Sequence, residues 1–502
     1  MEQVLGSART APRTFGLSWP LLVALLTLFG VLLGLSPGAT LADPDVYWHL
    51  AAGRWILEHG ALPEGDPFSH SMPGAAWMLQ SWLTEVVFAF LYRIGGWSAL
   101  VIMAATCFAI TLAYVTRFLL ARMEPVHALL FVGLAAGLLL THLSVRPHVL
   151  NWPLVAIWIA AQVDASESHR APPWWLLLVM CLWANLHGSF TLGLALAGGL
   201  ALDAIVSHPA VGRWQAARRW IVFLALAVLA SMVTPYGWKG IWYTVQVMQQ
   251  SFAQSVIAEW QSPDFHRIQG LEIWLLLVLA LGWSGRMVLP LTRTLLLLGL
   301  VHLALVSGRS ISTLGLVSPF ILAAPLARHW YSRAPLGGGG DAESLDRWFR
   351  ALAVPARPIS VALASGLTAA LLAMTVPAGN PSPDPAVTPA AALQAARAAP
   401  VSGEVLNGYN FGGYLIGQGV KVFIDGRSDM YGDAFMKRYF DAILLKEPQL
   451  LQPLLDEYRV GWTMLSPGTP AIAVLDRLPG WRRAYADDLA VVHTRVPQAE
   501  PR

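Results

Sequence analysis

Apolar runs long enough to cross, or nearly cross, a bilayer lie at 19–41, 98–120, 127–143, 148–163, 173–187, 189–207, 219–235, 270–285, 287–306, 310–328 and 358–377, eleven in all. Most are separated by short polar connections, but the first is followed by a long polar loop, 42–97. This pattern predicts an α-helical polytopic membrane domain over 1–377. Two of the runs, 148–163 and 173–187, have only 15–16 residues and also fit half-spanning or re-entrant helices. Beyond Pro377 the pattern changes. A Pro/Ala-rich linker, 378–400, reads as a partly extended tether. Then Lys421–Asp425, Gly461–Leu465 and Leu489–Thr494 read as short strands, and Asp433–Leu445, Pro448–Tyr458 and Pro470–Leu478 as helices, which together predict a soluble α/β domain over 401–502. No internal repeat is visible.

Composition agrees with lipid as the solvent: 56% of residues are hydrophobic, only 13% are charged, and mean hydropathy is +0.53. The first apolar run is longer than the core of a signal peptide and reads as a retained first helix. Cys107 and Cys181 both lie inside apolar runs, which excludes a disulfide framework or a thiolate metal site. A net charge of +3 without a Lys/Arg stripe excludes nucleic acid as a partner. Charge placement predicts topology. With the N-terminus in the cytoplasm, fifteen arginines fall on cytoplasmic segments and six basic residues on the other side of the membrane part. Eleven spans then put the C-terminal domain outside. The glycines at 337–340 lack the lysine and strand–helix context of a phosphate loop and read as a connector. The exported domain has no Asn-x-Ser/Thr acceptor, in agreement with a bacterial cytoplasmic (inner) membrane.

Sorted by this topology, Asp43-Pro-Asp45, Arg146-Pro-His148, Asn185-Leu-His187, Thr234-Pro-Tyr236, Glu259-Trp260 and Ser307-Gly-Arg309 all fall on one face. An ionisable group inside the membrane costs about 2–3 kcal/mol even on insertion scales, so its repeated use on one face predicts a polar cavity there. The plainer alternative is that each group ends a helix at the interface. The loop after the first helix is the richest segment. Asp43 followed by Pro44 reads as a helix N-cap with proline at the first helical position. Asp45 and His49, spaced i, i+4, share one side of that helix, a pair suited to a divalent ion or a proton relay. Trp48, Trp55 and Trp77 read chiefly as anchors at headgroup level. In the tail, Asp425, Arg427, Asp429 and Tyr431 form a polar loop after an expected strand, where α/β sheets present ligand-binding groups; Asp425 and Arg427 also suit a rigid paired turn.

A first helix followed by Asp43-Pro44-Asp45, a juxtamembrane helix with Gly53, Gly60 and Pro63, and a second acidic-aromatic patch from Asp66 to Trp77 resembles the first outer loop of the GT-C superfamily of polytopic glycosyltransferases. Asp43-Pro44 is similar to the Asp-Pro of oligosaccharyltransferases, and Asp45 stands near the second acid of the Asp-Glu motif of protein mannosyltransferases. The tail from Gly412-Gly413-Tyr414 through Val422–Gly432 resembles the exported domain of bacterial members. The Trp-Trp-Asp-Tyr-Gly acceptor motif is absent; Asn407–Tyr414 is a loose echo of it. The resemblance implies a polyprenyl-(pyro)phosphate sugar donor and an acidic motif that acts as general base or holds a metal.

Sugar transfer from a lipid phosphate needs a base, cations for the departing phosphate, and a lipid groove. Asp43 or Asp45 is the expected base. Arg146, His148, His187 and Arg309 are the expected phosphate donors. His49, Asp66, Tyr236, Glu259, Asp425, Arg427 and Asp429 are expected to support the site or bind the acceptor, whether glycan, lipid or protein. Asp43, Asp45 and His49 are too few ligands to specify Mg or Mn, so a divalent cation is left open. The competing expectation is a non-catalytic membrane protein, or a transporter of lipid-linked glycans, with a GT-C-like shell.

Overall fold

The computed structural model describes residues 16–35, 38–330, 347–375, 381–399 and 401–496. The connector at 337–340 lies outside them. Each of the eleven apolar runs carries a helix: α1 (Trp19–Gly34), α3 (Trp82–Leu120), α4 (Pro125–Leu140), α5 (Pro147–Glu167), α6 (Leu176–Leu186), α7 (Phe190–Ser207), α8 (Arg213–Ser231), α11 (Gly270–Trp283), α12 (Leu291–Val306), α13 (Ile311–Trp330) and a last helix, Pro358–Thr375. Between them lie α2 (Val46–His59), α9 (Lys239–Met248) and α10 (Ser251–Val256). Proline starts α4 and α5, where its missing N–H is no loss. By length and composition α3, α5, α7 and the stretch Gly308–Arg328 can cross a bilayer; six more helices are apolar but shorter. The chain is therefore a membrane protein.

The first loop corrects two expectations. α1 ends at Gly34, and Ala39–Leu41 form a separate 3-10 turn. Asp43 does not cap a helix beginning at Pro44, because α2 begins at Val46. Asp43 Oδ1 instead accepts from the Asp45 N–H at 2.9 Å, a local turn that leaves the other carboxylate oxygen to face Arg146. α2 lies on α3 at Gly53, where a Cβ would stand 1.8 Å from the Glu85 carbonyl oxygen, so only glycine allows the two backbones so close. α3 breaks at Gly95–Gly96, which is why its apolar run begins only at 98.

At the end of α5 away from Arg146, charged groups converge from four helices. Arg293 of α12 donates to Asp203 of α7 at 3.1 Å and to Glu167 of α5 at 2.9 Å, while Arg122 at the end of α3 reaches Glu167 at 3.0 Å and also pairs with Asp164. Ser166 Oγ and Thr292 Oγ1 donate to Asp203. With its side chain 2% exposed, Asp203 would be costly to bury alone, and the guanidinium offsets that cost.

The C-terminal domain holds a four-stranded sheet in the order β1 (Glu404–Asn407), β2 (Val460–Leu465), β4 (Val491–Arg495), β3 (Trp481–Ala486), parallel between β1 and β2 and antiparallel elsewhere. The helices Ser428–Ile443, Leu451–Glu457 and Ala471–Leu475 fall on the expected segments. Lys421–Asp425 is not a strand. Val422 makes a single bridge to Ser69 of the first loop, since its outward backbone groups are taken by Phe68 and His70. Nor is 381–399 an extended tether: Ala390–Ala398 is a helix that packs on β3 and β4, and Thr388 meets Tyr47 at 2.8 Å.

Replacing Arg293 with alanine leaves Asp203 and Glu167 without their shared cation and is expected to destabilise the helical domain by about 3–5 kcal/mol. Thermal unfolding in detergent measures this, and an unchanged midpoint would show that the network contributes nothing.

Candidate functional site

The extended backbone at Arg146, just before α5, aims its guanidinium at the loop after α1. All three of its edges are taken. Nε forms an ion pair with Asp43 Oδ2 at 2.7 Å, Nη2 donates to Asp45 Oδ2, and Nη1 donates to both oxygens of Glu259, which sits in a 3-10 turn, Ala258–Trp260, between α10 and α11. Three carboxylates face one guanidinium, an imbalance that favours retention of a proton. Burial raises the Asp43 carboxyl to about 7; Arg146 pulls it down, but Asp45 and Glu259 push it back up. Glu259, more open to solvent, is opposed by its own burial but held below its usual range by Arg146. Asp45 is pressed against the C-terminal domain: a Cβ on Gly426 would stand 1.8 Å from Asp45 Oδ1.

The expected Asp45–His49 pair does not form. His49 turns instead to Glu85 in the first turn of α3, Nδ1 to Oε1 at 2.7 Å, where Ser81 Oγ also donates at 2.8 Å. Burial pushes the His49 imidazole below its usual range and Glu85 pulls it part of the way back. Glu85 is fully buried in the first turn of α3, and its i, i+4 spacing from Ser81 is the one sequence signal that points to it. His148, His187 and Arg309 join Arg146 and His49 within one electrostatic neighbourhood. His148 Nε2 donates to the His142 carbonyl at 2.9 Å. His187 Nδ1 accepts from the Ser189 N–H at 3.1 Å, which puts its ring proton on Nε2. Arg309 lies over the Trp260 ring at 5.3 Å and makes no ion pair among the described residues. Its guanidinium is left free to meet an anion.

Asp66, Asp425 and Arg427 form a different structure. Arg427 is fully buried, with Nε and Nη2 on Asp425 at 2.8 and 2.6 Å and Nη1 on Asp66 at 2.6 Å. The Tyr431 hydroxyl donates to Asp425 at 2.8 Å, the Phe68 and Ser69 N–H groups to Asp66 at 2.9 Å, and Trp77 stacks on the guanidinium at 4.6 Å. This is a satisfied clamp between the first loop and the C-terminal domain. Trp48 and Trp77 are buried in this region, which corrects their reading as headgroup anchors. Asp429 is bonded by Tyr243 of α9; burial raises its carboxyl, with Tyr243 and Arg427 opposing. Tyr236 accepts from the Leu79 N–H at 3.1 Å and so fixes the end of the first loop.

The described residues do not form a ready-made site for the divalent ion left open by the sequence. Asp43 and Asp45 already hold Arg146, His49 points at Glu85, and no group of three or more His, Cys, Asp or Glu among the described residues is arranged to hold a metal. The guanidinium supplies the positive charge between the acids.

No family model matches the chain. No curated protein matches its sequence. The fold, however, is shared with solved structures. The apo oligosaccharyltransferase of Archaeoglobus fulgidus superposes with TM-score 0.52 at 10% identity, over 89% of this chain and 69% of that one. Oligosaccharyltransferase AglB of the same organism, in complex with an inhibitory peptide and a dolichol-phosphate, gives TM-score 0.50 at 12% identity over the same shares. ArnT from Cupriavidus metallidurans, bound to undecaprenyl phosphate, aligns over 96% of this chain and 98% of that one at 16% identity, with TM-score 0.48. The chain shares its fold with the archaeal oligosaccharyltransferase.

Titrating Mn²⁺ onto the wild type is expected to give no saturable binding at the first-loop acids, whereas Arg146→Ala vacates the space between three carboxylates and should gain it. Calorimetric binding by the wild type that is lost in Asp45→Asn would contradict this.

Proposed function

We propose that this chain is a membrane glycosyltransferase that moves a sugar from a polyprenyl-(pyro)phosphate donor to an acceptor hydroxyl on the non-cytoplasmic face of the membrane. In this reading eleven helices span the inner membrane with the N-terminus in the cytoplasm, residues 1–377 hold the lipid, and the C-terminal domain closes the site from the far side. The observation that carries it is the convergence on one end of the bundle of a carboxyl poised near neutrality, a free arginine and the His187 ring N–H. The dolichol-phosphate held by the archaeal oligosaccharyltransferase of the same fold supports a polyprenyl carrier.

The chemistry follows from the geometry. Asp43 takes the proton of the acceptor hydroxyl as its oxygen bonds to the anomeric carbon. The bond from that carbon to the phosphate oxygen breaks, its electron pair leaving with the phosphate, and attack from the opposite side inverts the sugar's configuration. Arg309 and His187 Nε2–H donate to the departing phosphate. Arg146 has its donors committed to carboxylates, so its role is to hold Asp43 and Asp45 in place and to keep the acids' combined charge low. Asp45, braced by Arg146 and Gly426, is the second acid. A transporter of lipid-linked glycans is the alternative the experiments below separate.

Asp43→Asn is expected to lower turnover about 10²–10⁴-fold while binding of polyprenyl phosphate persists; a scaffold or transporter would be indifferent. Because the base acts in its deprotonated form, wild-type kcat/KM should rise with pH through about 7, the value to which burial brings Asp43. A profile flat from pH 5 to pH 8 on the order of a factor of two would exclude Asp43 as the base. Arg309→Ala should weaken polyprenyl phosphate binding about ten-fold or more.

A further inference from the structure

We infer that His49, with its tautomer set by Glu85, is the acceptor for a hydroxyl of the donor's sugar ring, and that the sugar of the proposed transfer lies against His49 and the neighbouring tryptophan pair Trp48 and Trp77. The inference rests on the reading of the chain as a glycosyltransferase and adds the subsite that distinguishes a sugar-bearing lipid from a bare one.

Glu85 is the buried acid that the transfer chemistry leaves without a task. Its Oε1 accepts from His49 Nδ1 and Ser81 Oγ, and its Oε2 has no hydrogen-bond partner. A carboxylate that takes the Nδ1–H leaves the lone pair of the other ring nitrogen, Nε2, as an acceptor. No described residue gives His49 Nε2 a hydrogen bond. The charges facing His49 are Glu85 from α3, Arg146 from the start of α5 and Arg309 from the turn before α13. Two cations and burial oppose a proton on the ring, so the neutral, accepting form is the one the surroundings favour.

What His49 would accept from is indicated by its neighbours. The imidazole lies against the Trp48 ring with centroids 3.6 Å apart, and Trp77 meets Trp48 edge-on at 6.1 Å. The buried Trp48 Nε1–H and Glu85 Oε2 have no partner, so a donor and an acceptor stand unsatisfied beside the His49 ring. Hydroxyls that both donate and accept, on a ring with an apolar face, are the chemistry that satisfies such a set. His49 is also one helical turn from Asp45, its N–H bonded to the Asp45 carbonyl at 3.1 Å. A sugar bonded to a phosphate on Arg309 and His187 therefore falls in this neighbourhood, beside the acids.

The test compares the affinity of the full chain in nanodiscs for bare polyprenyl phosphate with its affinity for polyprenyl phosphates carrying a hexose, a pentose or an N-acetylhexosamine. The wild type is expected to prefer at least one sugar-bearing lipid over the bare one. His49→Asn keeps an amide able to donate to Glu85 but lacks an atom at the Nε2 position, so it should lose that preference about ten-fold or more while binding the bare lipid normally. His49→Gln, whose amide oxygen reaches the Nε2 position, should recover part of it. Nitrogen NMR of labelled histidine, with the His49 signal assigned by its loss in His49→Asn, should show the Nδ1–H form in the wild type and a shifted tautomer balance in Glu85→Gln. A preference unchanged in His49→Asn, or a His49 protonated on Nε2, overturns the inference while leaving the proposed function standing. Failure of the wild type to bind any polyprenyl phosphate removes the proposed function and this inference with it.

Discussion

One guanidinium set against three carboxylates is the constraint on which the site depends. Arg146 lies where α5 begins, Asp43 and Asp45 follow α1, and Glu259 comes from a loop far along the chain, so one side chain ties together three segments with no sequence proximity. Acids at the edge of a helical bundle would repel one another and be costly to desolvate. The cation makes their approach tolerable without cancelling all the charge, and burial, reinforced by the neighbouring acids, raises the Asp43 carboxyl to about 7. Structural cohesion and chemical reactivity thus have the same origin. A small loss of positive charge here would change both.

The C-terminal domain is built into this arrangement. Gly426 touches Asp45 on one side, while its neighbours Asp425 and Arg427 are buried with Asp66 of the first loop on the other. Burying Arg427 completely is acceptable because each of its three guanidinium nitrogens meets a carboxylate oxygen and aromatic rings cover its faces; removing one acid would leave a charge in a dry setting at a cost of about 3–5 kcal/mol. The clamp therefore fixes how closely the loop bearing Gly426 approaches the acids. The polar network at the other end of the bundle, centred on Arg293 and Asp203, does the same for the helices themselves and has no comparable free cation.

The periodic part of this design was legible in the sequence. Long apolar runs announced eleven helices of the membrane domain but not the shorter α9 and α10, and counting the helices between them gave Asp43, Asp45, Arg146 and Glu259 as neighbours, which the structure brings into contact. Partner choice was not legible. His49 sits four residues after Asp45, yet it bonds Glu85, because Gly53 lets α2 settle against α3 and brings a distant acid closer than the local one. Lys421–Asp425 looked like a strand by composition, but its edge is taken by Phe68 and His70 of the first loop, a contact between segments some 350 positions apart. Arg427 and Asp425 were seen as a pair, and only the third member, Asp66, revealed that the pair joins two domains.

The most direct measurement is a structure of the full chain in a lipid nanodisc with polyprenyl phosphate bound. The account predicts the phosphate against Arg309 and His187, in the same cavity as Asp43, with the Arg146 cluster intact and the lipid tail running between helices. A phosphate bound instead at the Arg122 and Arg293 end, or an Asp43 turned away from it, would contradict the account.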